Sequence, residues 1–371
     1  MTRRPGTKVV HAGLQPAEPG APFLAGPVFA APFHLPGDPR QTEFGYGRYS
    51  NPTWVAYERA IADVENATYV SVFGSGMAAC SAVLLSMLQP GDVLVAPADG
   101  YPMLRTLATG HLAERGVESR FVPTAGDWLG AIDGARLVWL ETPSNPALDL
   151  CDVAAIAAAA HETGAIVALD NTLATPLGQS ALALGCDLAV AADTKAMTGH
   201  ADLLMGHVAT RDPELASQVR TFRDTTGAVP GPMEAWLAHR SLATLDVRLE
   251  RQCRSAQAIA EALSARDDVA DVRYPGLPSH PQHELAKRQM TSFGMVVSFR
   301  LDSAERAQRF IESCELVIDA TSFGGVHTTA ERRARWAHGD DVAPGFVRLS
   351  AGIEDTEDLL ADIGAALAAS V

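Results

Sequence analysis

Between residues 54 and 220, short apolar runs alternate with longer helical stretches, and this alternation narrows the possible folds more than any other feature. The apolar runs are Tyr69–Phe73, Val93–Ala96, Arg120–Val122, Leu137–Leu140, Ile166–Leu169 and Leu188–Ala191. Between them lie amphipathic or alanine-rich stretches such as Met77–Leu88, Met103–Arg115 and Val153–Glu162. Near-continuous apolar strands separated by helices predict an α/β domain with a mostly parallel sheet covered on both faces. We place this large domain at 54–235. Residues 1–53 are rich in Pro and Gly and weakly periodic, and read as an arm that packs on a neighbouring subunit. Residues 236–371 read as a smaller α+β domain. Its strands are predicted around Val272–Tyr274, Met295–Phe299 and Phe346–Leu349, and its helices at Ser303–Ser313 and Thr356–Ala369. One long helical stretch from Pro232 to about Leu263 links the two units. Its Arg240, Arg248, Arg251 and Arg254 are expected on a solvated or inter-subunit face.

Composition excludes several function classes. A net charge of −15 opposes binding nucleic acid through phosphates. No apolar run approaches the length of a membrane span. The histidines and cysteines form no zinc-ligand spacing. The five dispersed cysteines read as reduced thiols, which points to a cytoplasmic enzyme.

Chemistry is expected at the carboxyl ends of the strands, where open parallel sheets bind ligands. The first strand runs into Gly74-Ser75-Gly76-Met77 and then a helix, a place where backbone N–H groups can hold an anion. Later strands deliver Tyr101, then Asn145, then Asp170 with Thr172, and finally Thr194 with Lys195. A lysine just past a buried strand loses hydration, so its pKa falls and its amine becomes a nucleophile. An anion cradle, an aromatic ring, an amide, a carboxylate and an amine on one edge form the set that pyridoxal phosphate requires. The glycine segment Gly74–Ala79 also fits the dinucleotide fingerprint G-x-G-x-x-A, so a nicotinamide oxidoreductase is the remote alternative. Asp92 is an acid at a tolerable spacing, but it lies in a turn before its strand and not at that strand's carboxyl end.

The chain resembles the Cys/Met-metabolism family of pyridoxal-phosphate enzymes, which includes cystathionine γ-lyase, cystathionine γ-synthase, cystathionine β-lyase and methionine γ-lyase. The resemblance runs through Thr7–Gly13, Tyr46–Thr53 (Y-G-R-Y-S-N-P-T), Gly74–Ala79 and Glu141–Pro146 (E-T-P-S-N-P). It continues through Asp170–Pro176, Thr194–His200, Tyr274–Pro281, Ser322–Gly325 (S-F-G-G) and Val347–Glu354. It implies fold type I, the aspartate-aminotransferase-like fold, and a homotetramer built from active dimers. By resemblance Lys195 is the Schiff-base lysine, Asp170 the carboxylate at the pyridine nitrogen, and Tyr101 the stacking tyrosine and a candidate acid or base. Gly76, Met77, Thr172 and Thr194 belong to the cofactor's seat, and Asn145 stands near its phenolic oxygen. Tyr46 and Arg48 are implied to reach the phosphate of a neighbouring subunit. Ser322 and Arg348 are implied to clamp the α-carboxylate of an amino-acid substrate. The implied activity is γ-elimination of cystathionine to cysteine, 2-oxobutyrate and ammonia. The synthase reaction is the nearest rival, followed by methionine γ-lyase and cystathionine β-lyase. Three departures stand out: Ala192 replaces the usual serine, Pro102-Met103 follow the stacking tyrosine, and Thr321 stands where several lyases have glutamate. Asp193 has no assigned role.

Overall fold

The computed structural model describes every residue except 1, 2, 15, 17 and 337–341. The elements run α1 (Pro5–His11), α2 (Pro52–Glu65), β1 (Tyr69–Phe73), α3 (Gly76–Met87), β2 (Val93–Pro97), α4 (Pro102–Leu107), β3 (Glu118–Val122), β4 (Leu137–Glu141), α5 (Val153–Glu162) and β5 (Ile166–Asp170). Next come α6 (Thr175–Gly178), β6 (Leu188–Ala191), β7 (Gly206–Thr210), α7 (Pro213–Thr226), α8 (Pro232–Leu242) and α9 (Leu245–Ser264). The C-terminal part holds β8 (Ala270–Arg273), α10 (His283–Gln289), β9 (Val296–Arg300), α11 (Ala304–Ser313), β10 (Ile318–Asp319), β11 (Thr329–Arg332), β12 (Phe346–Ser350) and α12 (Thr356–Ala369).

The first seven strands form one sheet, in the order β1-β7-β6-β5-β4-β2-β3. Strands β2 to β6 are parallel where they pair, while β7 runs antiparallel to both β1 and β6. Successive side chains of the central strands serve two separate cores. Val138, Leu140, Val167, Leu169 and Ala189 pack on one face, and Leu137, Trp139, Ala168, Leu188 and Val190 on the other. With both faces covered, no position on β4 can be polar without cost until the strand ends at Glu141. Each Val or Leu so enclosed contributes about 1.5–3 kcal/mol. The second sheet, β10-β11-β12-β9-β8, is antiparallel except for its β10–β11 pair. It packs one face on residues of α9, α11 and α12, including Ile259, Phe310 and Ile363. The architecture is therefore the mixed α/β one expected: a large mostly parallel sheet followed by a smaller α+β unit.

Local chemistry explains the helix starts nearest the site. Asn51 caps α2 by accepting from the Thr53 N–H at 2.9 Å, with Pro52 at the first helical position. Ser75 caps α3 by accepting from the Ala78 N–H at 3.1 Å. Gly76 follows, and a Cβ there would lie 2.4 Å from the Ala192 Cβ. Gly206 is as tightly placed, since a Cβ would lie 2.7 Å from the Gly76 Cα. Glycine is thus required where the start of α3 crosses β6 and β7.

Four expectations need correction. Strand β7 was not anticipated, because Gly206 and His207 break its apolar run; it is nevertheless buried throughout. The stretch 232–263 is two helices, α8 and α9, separated at Ala243-Thr244. The arm, read as packing on a neighbouring subunit, also packs on its own chain, where α1 buries Val9 against the large domain. Arg248 does not face solvent: it is 4% exposed, and its guanidinium donates to carbonyls of the lysine loop. All five cysteines are free thiols. Among the described residues no helix is long and apolar enough to cross a membrane, and no group of three or more His, Cys, Asp or Glu could hold a metal ion.

Candidate active site

The carboxyl ends of β4, β5 and β6 and the start of α3 open into a cavity of about 360 Å³, closed on its far side by residues of the second sheet. Gly76, Met77, Tyr101, Asn145, Asp170, Thr172, Thr194, Lys195, Thr321, Ser322 and Arg348 all line it. Residues separated by more than 270 positions in the chain therefore meet in one place. Tyr46 and Arg48 do not line it. Tyr46 is 48% exposed. Arg48 donates to the Asp224 carbonyl and, at 2.9 Å, to the Tyr49 hydroxyl.

Lys195 is the centre of the cavity. Its Nζ donates to Ser322 Oγ at 2.7 Å and lies 5.2 Å from the centre of the Phe323 ring. Burial, aided by Arg348, lowers its pKa to about 8, against the pull of Glu331. The partner Ser322 has φ of 82°, a left-handed conformation that a serine adopts only under constraint from its surroundings. The next residues supply that constraint. The Gly324 N–H donates to Ser350 Oγ at 2.9 Å, and Arg348 Nη2 donates to the Ser322 carbonyl at 2.9 Å.

Asp170 ends β5. Burial raises its pKa, opposed by hydrogen bonds from Thr172, one of them from the Thr172 N–H at 3.0 Å, and then by the charges of His207 and Lys195. The Thr172 hydroxyl accepts from the Ala192 N–H at 2.8 Å and so ties β5 to β6. Thr194 uses its hydroxyl on the backbone of Met205, donating at 3.2 Å and accepting at 3.0 Å. Asn145 accepts from Arg348 Nη1 at 2.8 Å, so its carbonyl end fixes the arginine. Tyr101 is 42% exposed at the mouth, and burial raises its pKa.

Several further side chains shape the site, of which Glu141 was marked by its strand end and the others were not assigned to it from the sequence. Glu141, at the end of β4, accepts from the Tyr101 N–H at 2.7 Å and sets the tyrosine's position. Arg248 Nη1 and Nη2 donate to the carbonyls of Ala196 and Met197 at 2.7 and 3.1 Å, holding the lysine loop onto α9. Asp193, which had no reading, is fully buried beneath that loop. It takes a hydrogen bond from the Tyr57 hydroxyl at 3.0 Å and meets His207 Nδ1 at 2.6 Å; His207 Nε2 in turn meets Glu65 at 3.3 Å. Glu331 and Arg333 enter from the second sheet, and Arg333 lines the cavity.

The residues present fit pyridoxal phosphate. The first turn of α3 leaves backbone N–H groups without helical partners, at a spot where any side chain on Gly76 would collide. At the same cavity stand an amine lowered into the nucleophilic range and an enclosed carboxylate whose burial is only partly compensated, as a protonated ring nitrogen would complete it. Asp92, the acid considered for a ribose, precedes β2 and accepts from the Gln89 N–H at 2.7 Å.

Comparison with known proteins points to the same cofactor. The family profile described as "Cys/Met metabolism PLP-dependent enzyme" matches residues 6–368. A Streptomyces coelicolor protein named "Putative cystathionine gamma-lyase" is 53% identical over 367 residues, covering 98% of this chain and 93% of the relative. A Mycobacterium bovis protein named cystathionine gamma-synthase is 38% identical over 377 residues, covering 98% of this chain and 96% of its own length. The crystal structure of metB from Corynebacterium glutamicum superposes with a TM-score of 0.95 at 37% identity, over 99% of this chain and 98% of that one. The chain belongs to the Cys/Met metabolism family of pyridoxal-phosphate-dependent enzymes.

Proposed function

We propose that the protein breaks cystathionine at its γ-carbon–sulfur bond, and with one water releases cysteine, 2-oxobutyrate and ammonia. The observation that carries this reading is the position of the Lys195 amine: half-buried, lowered to about pKa 8, and steered by Ser322 Oγ at 2.7 Å. When bound, the cofactor supplies an aldehyde for amines and a ring that takes up the electrons left when a proton leaves the substrate. Lys195 Nζ, partly neutral near pH 8, is the group that accepts a proton from Cα and delivers one elsewhere along the same face. Asp170 supplies the negative charge that holds a proton on the ring nitrogen. Gly76 and Met77 offer backbone N–H groups to the phosphate, with the α3 dipole behind them. Arg348, fixed by Asn145 and the Ser322 carbonyl, pairs with the substrate's α-carboxylate. Tyr101, at the mouth of the cavity, would stack on the bound ring and would give a proton to the departing sulfur. Tyr46 and Arg48 serve the phosphate of a neighbouring subunit, in a tetramer made of active dimers.

The name carried by the 53% identical relative supports the lyase within the family. The γ-replacement reaction is the second reading, favoured by the name of the 38% identical relative. A product assay separates them. The lyase yields 2-oxobutyrate from cystathionine alone. Failure to do so, with cystathionine formed instead from an O-activated homoserine and cysteine, overturns the lyase reading.

A further inference from the structure

Strands β11 and β12 pair so that Glu331 lies opposite Arg348. Arg333 follows two residues later, just past the end of β11, and its guanidinium turns back to the Glu331 carboxylate. The three side chains form one connected group on the cavity wall. Glu331 Oε2 accepts from Arg348 Nη2 and from Arg333 Nη1, each at 2.8 Å, and from the Thr321 hydroxyl at 3.5 Å. Glu331 Oε1 accepts from the Trp336 indole at 2.6 Å. All three charges are enclosed, with side-chain exposures of 4% for Arg348, 1% for Glu331 and 11% for Arg333. Removing three charges from water is costly, and an apolar wall of the same volume would be the cheaper way to join these strands.

The position of Arg333 suggests what the arrangement is for. It lines the same cavity as Arg348, and its charge acts on both Lys195 and Tyr101. The cavity thus holds two guanidinium groups bridged by one carboxylate, with the lysine and the tyrosine within their field. One guanidinium is assigned to the α-carboxylate. The geometry points to Arg333 as the specificity residue for a second carboxylate at the far end of the substrate side chain, so that the enzyme selects amino acids that are acidic at both ends. Cystathionine carries such a group, whereas methionine and homocysteine do not. This rests on the cofactor site but not on the identity of the leaving group. Glu331 holds the two arginines apart at a set distance, and a guanidinium accepts a carboxylate through two parallel N–H donors. Thr321 lies within reach of Glu331 Oε2, so the departure noted there sits on the same wall.

The test uses the holoenzyme and two probes of equal length, 2-aminoadipate and norleucine, with binding read by calorimetry and by the change in cofactor absorbance. Neither ligand has a sulfur leaving group, so the result stands even if cystathionine is not the substrate. The expected result is that 2-aminoadipate binds about 10-fold to 100-fold more tightly than norleucine, the value of a charge-assisted contact. In Arg333→Leu that ratio collapses toward one through weaker binding of the acid, and in Arg333→Lys part of it returns. Absence of a preference in the unaltered enzyme, or its persistence in Arg333→Leu, overturns the assignment. Equal weakening of both ligands does so as well, because Arg333 would then act only by holding Arg348.

Discussion

Replacing His207 with leucine tests the buried network beneath the lysine loop. The imidazole is fully enclosed between Asp193 and Glu65, at 2.6 and 3.3 Å. Burial opposes its charge, but the two carboxylates outweigh burial and push its pKa from 6.5 up to about 10. Because the folded value lies above the unfolded one, the stabilisation is complete below pH 6.5 and is lost as pH rises through about 10. The gap corresponds to about 4 kcal/mol at pH 7 and to roughly a third of that at pH 9. An independent argument gives a similar size: removing one partner from a buried ion pair costs about 3–5 kcal/mol. With an unfolding entropy of about 2.1 cal/mol/K per residue, 4 kcal/mol lowers Tm by roughly 5–10 °C, the larger value applying if the large domain unfolds alone. Differential scanning fluorimetry of both proteins across pH 6.5–9.5 is the assay. The leucine variant should melt lower across the range, because it loses the histidine's contribution at the acid end and leaves Asp193 and Glu65 buried without their cation at every pH. A deficit below about 2 °C at pH 7 would refute a charged histidine in this network.

Two further outcomes follow from close contacts around the cofactor seat. Gly76→Ala places a Cβ 2.4 Å from the Ala192 Cβ and forces the start of α3 to move; apoenzyme titration should show pyridoxal phosphate affinity down about tenfold or more, and unchanged affinity would remove Gly76 from the phosphate seat. Arg248→Met removes the donors to the Ala196, Met197 and Ser241 carbonyls, each worth about 1.5–3 kcal/mol. Hydrogen exchange at the Thr198 and Gly199 amides should accelerate by about tenfold or more, and unaltered protection would show that α9 does not hold the lysine loop.

Much of the fold was legible because buried parallel strands leave a strong local mark. Every residue of β4 and β6 is enclosed, so each run is almost uniformly apolar and its polar terminus stands out. Glu141, Asp170 and Lys195 sit at such termini or just past them. The strand β7 was not legible, because burial there is achieved by pairing His207 with distant carboxylates, and a polar strand of that kind looks like a loop. Arg248 was misread for the same reason: an arginine whose donors end on backbone carbonyls has nothing in its own neighbourhood to distinguish it from a solvated one.

The amino-acid sequence alone determined the two-unit architecture, the order of groups along the sheet edge and the place of Lys195 just past a buried strand. Periodicity and strand ends are local properties, and they are written in consecutive residues. Tertiary structure alone decided which second-sheet residues close the cavity and how they are charged. The contact of Lys195 with a left-handed Ser322 joins segments 127 positions apart, and the cavity brings Arg333 and Arg348 of the second sheet up to the same lysine. Such contacts depend on how two sheets dock, and a pairing across that distance leaves no pattern in either segment.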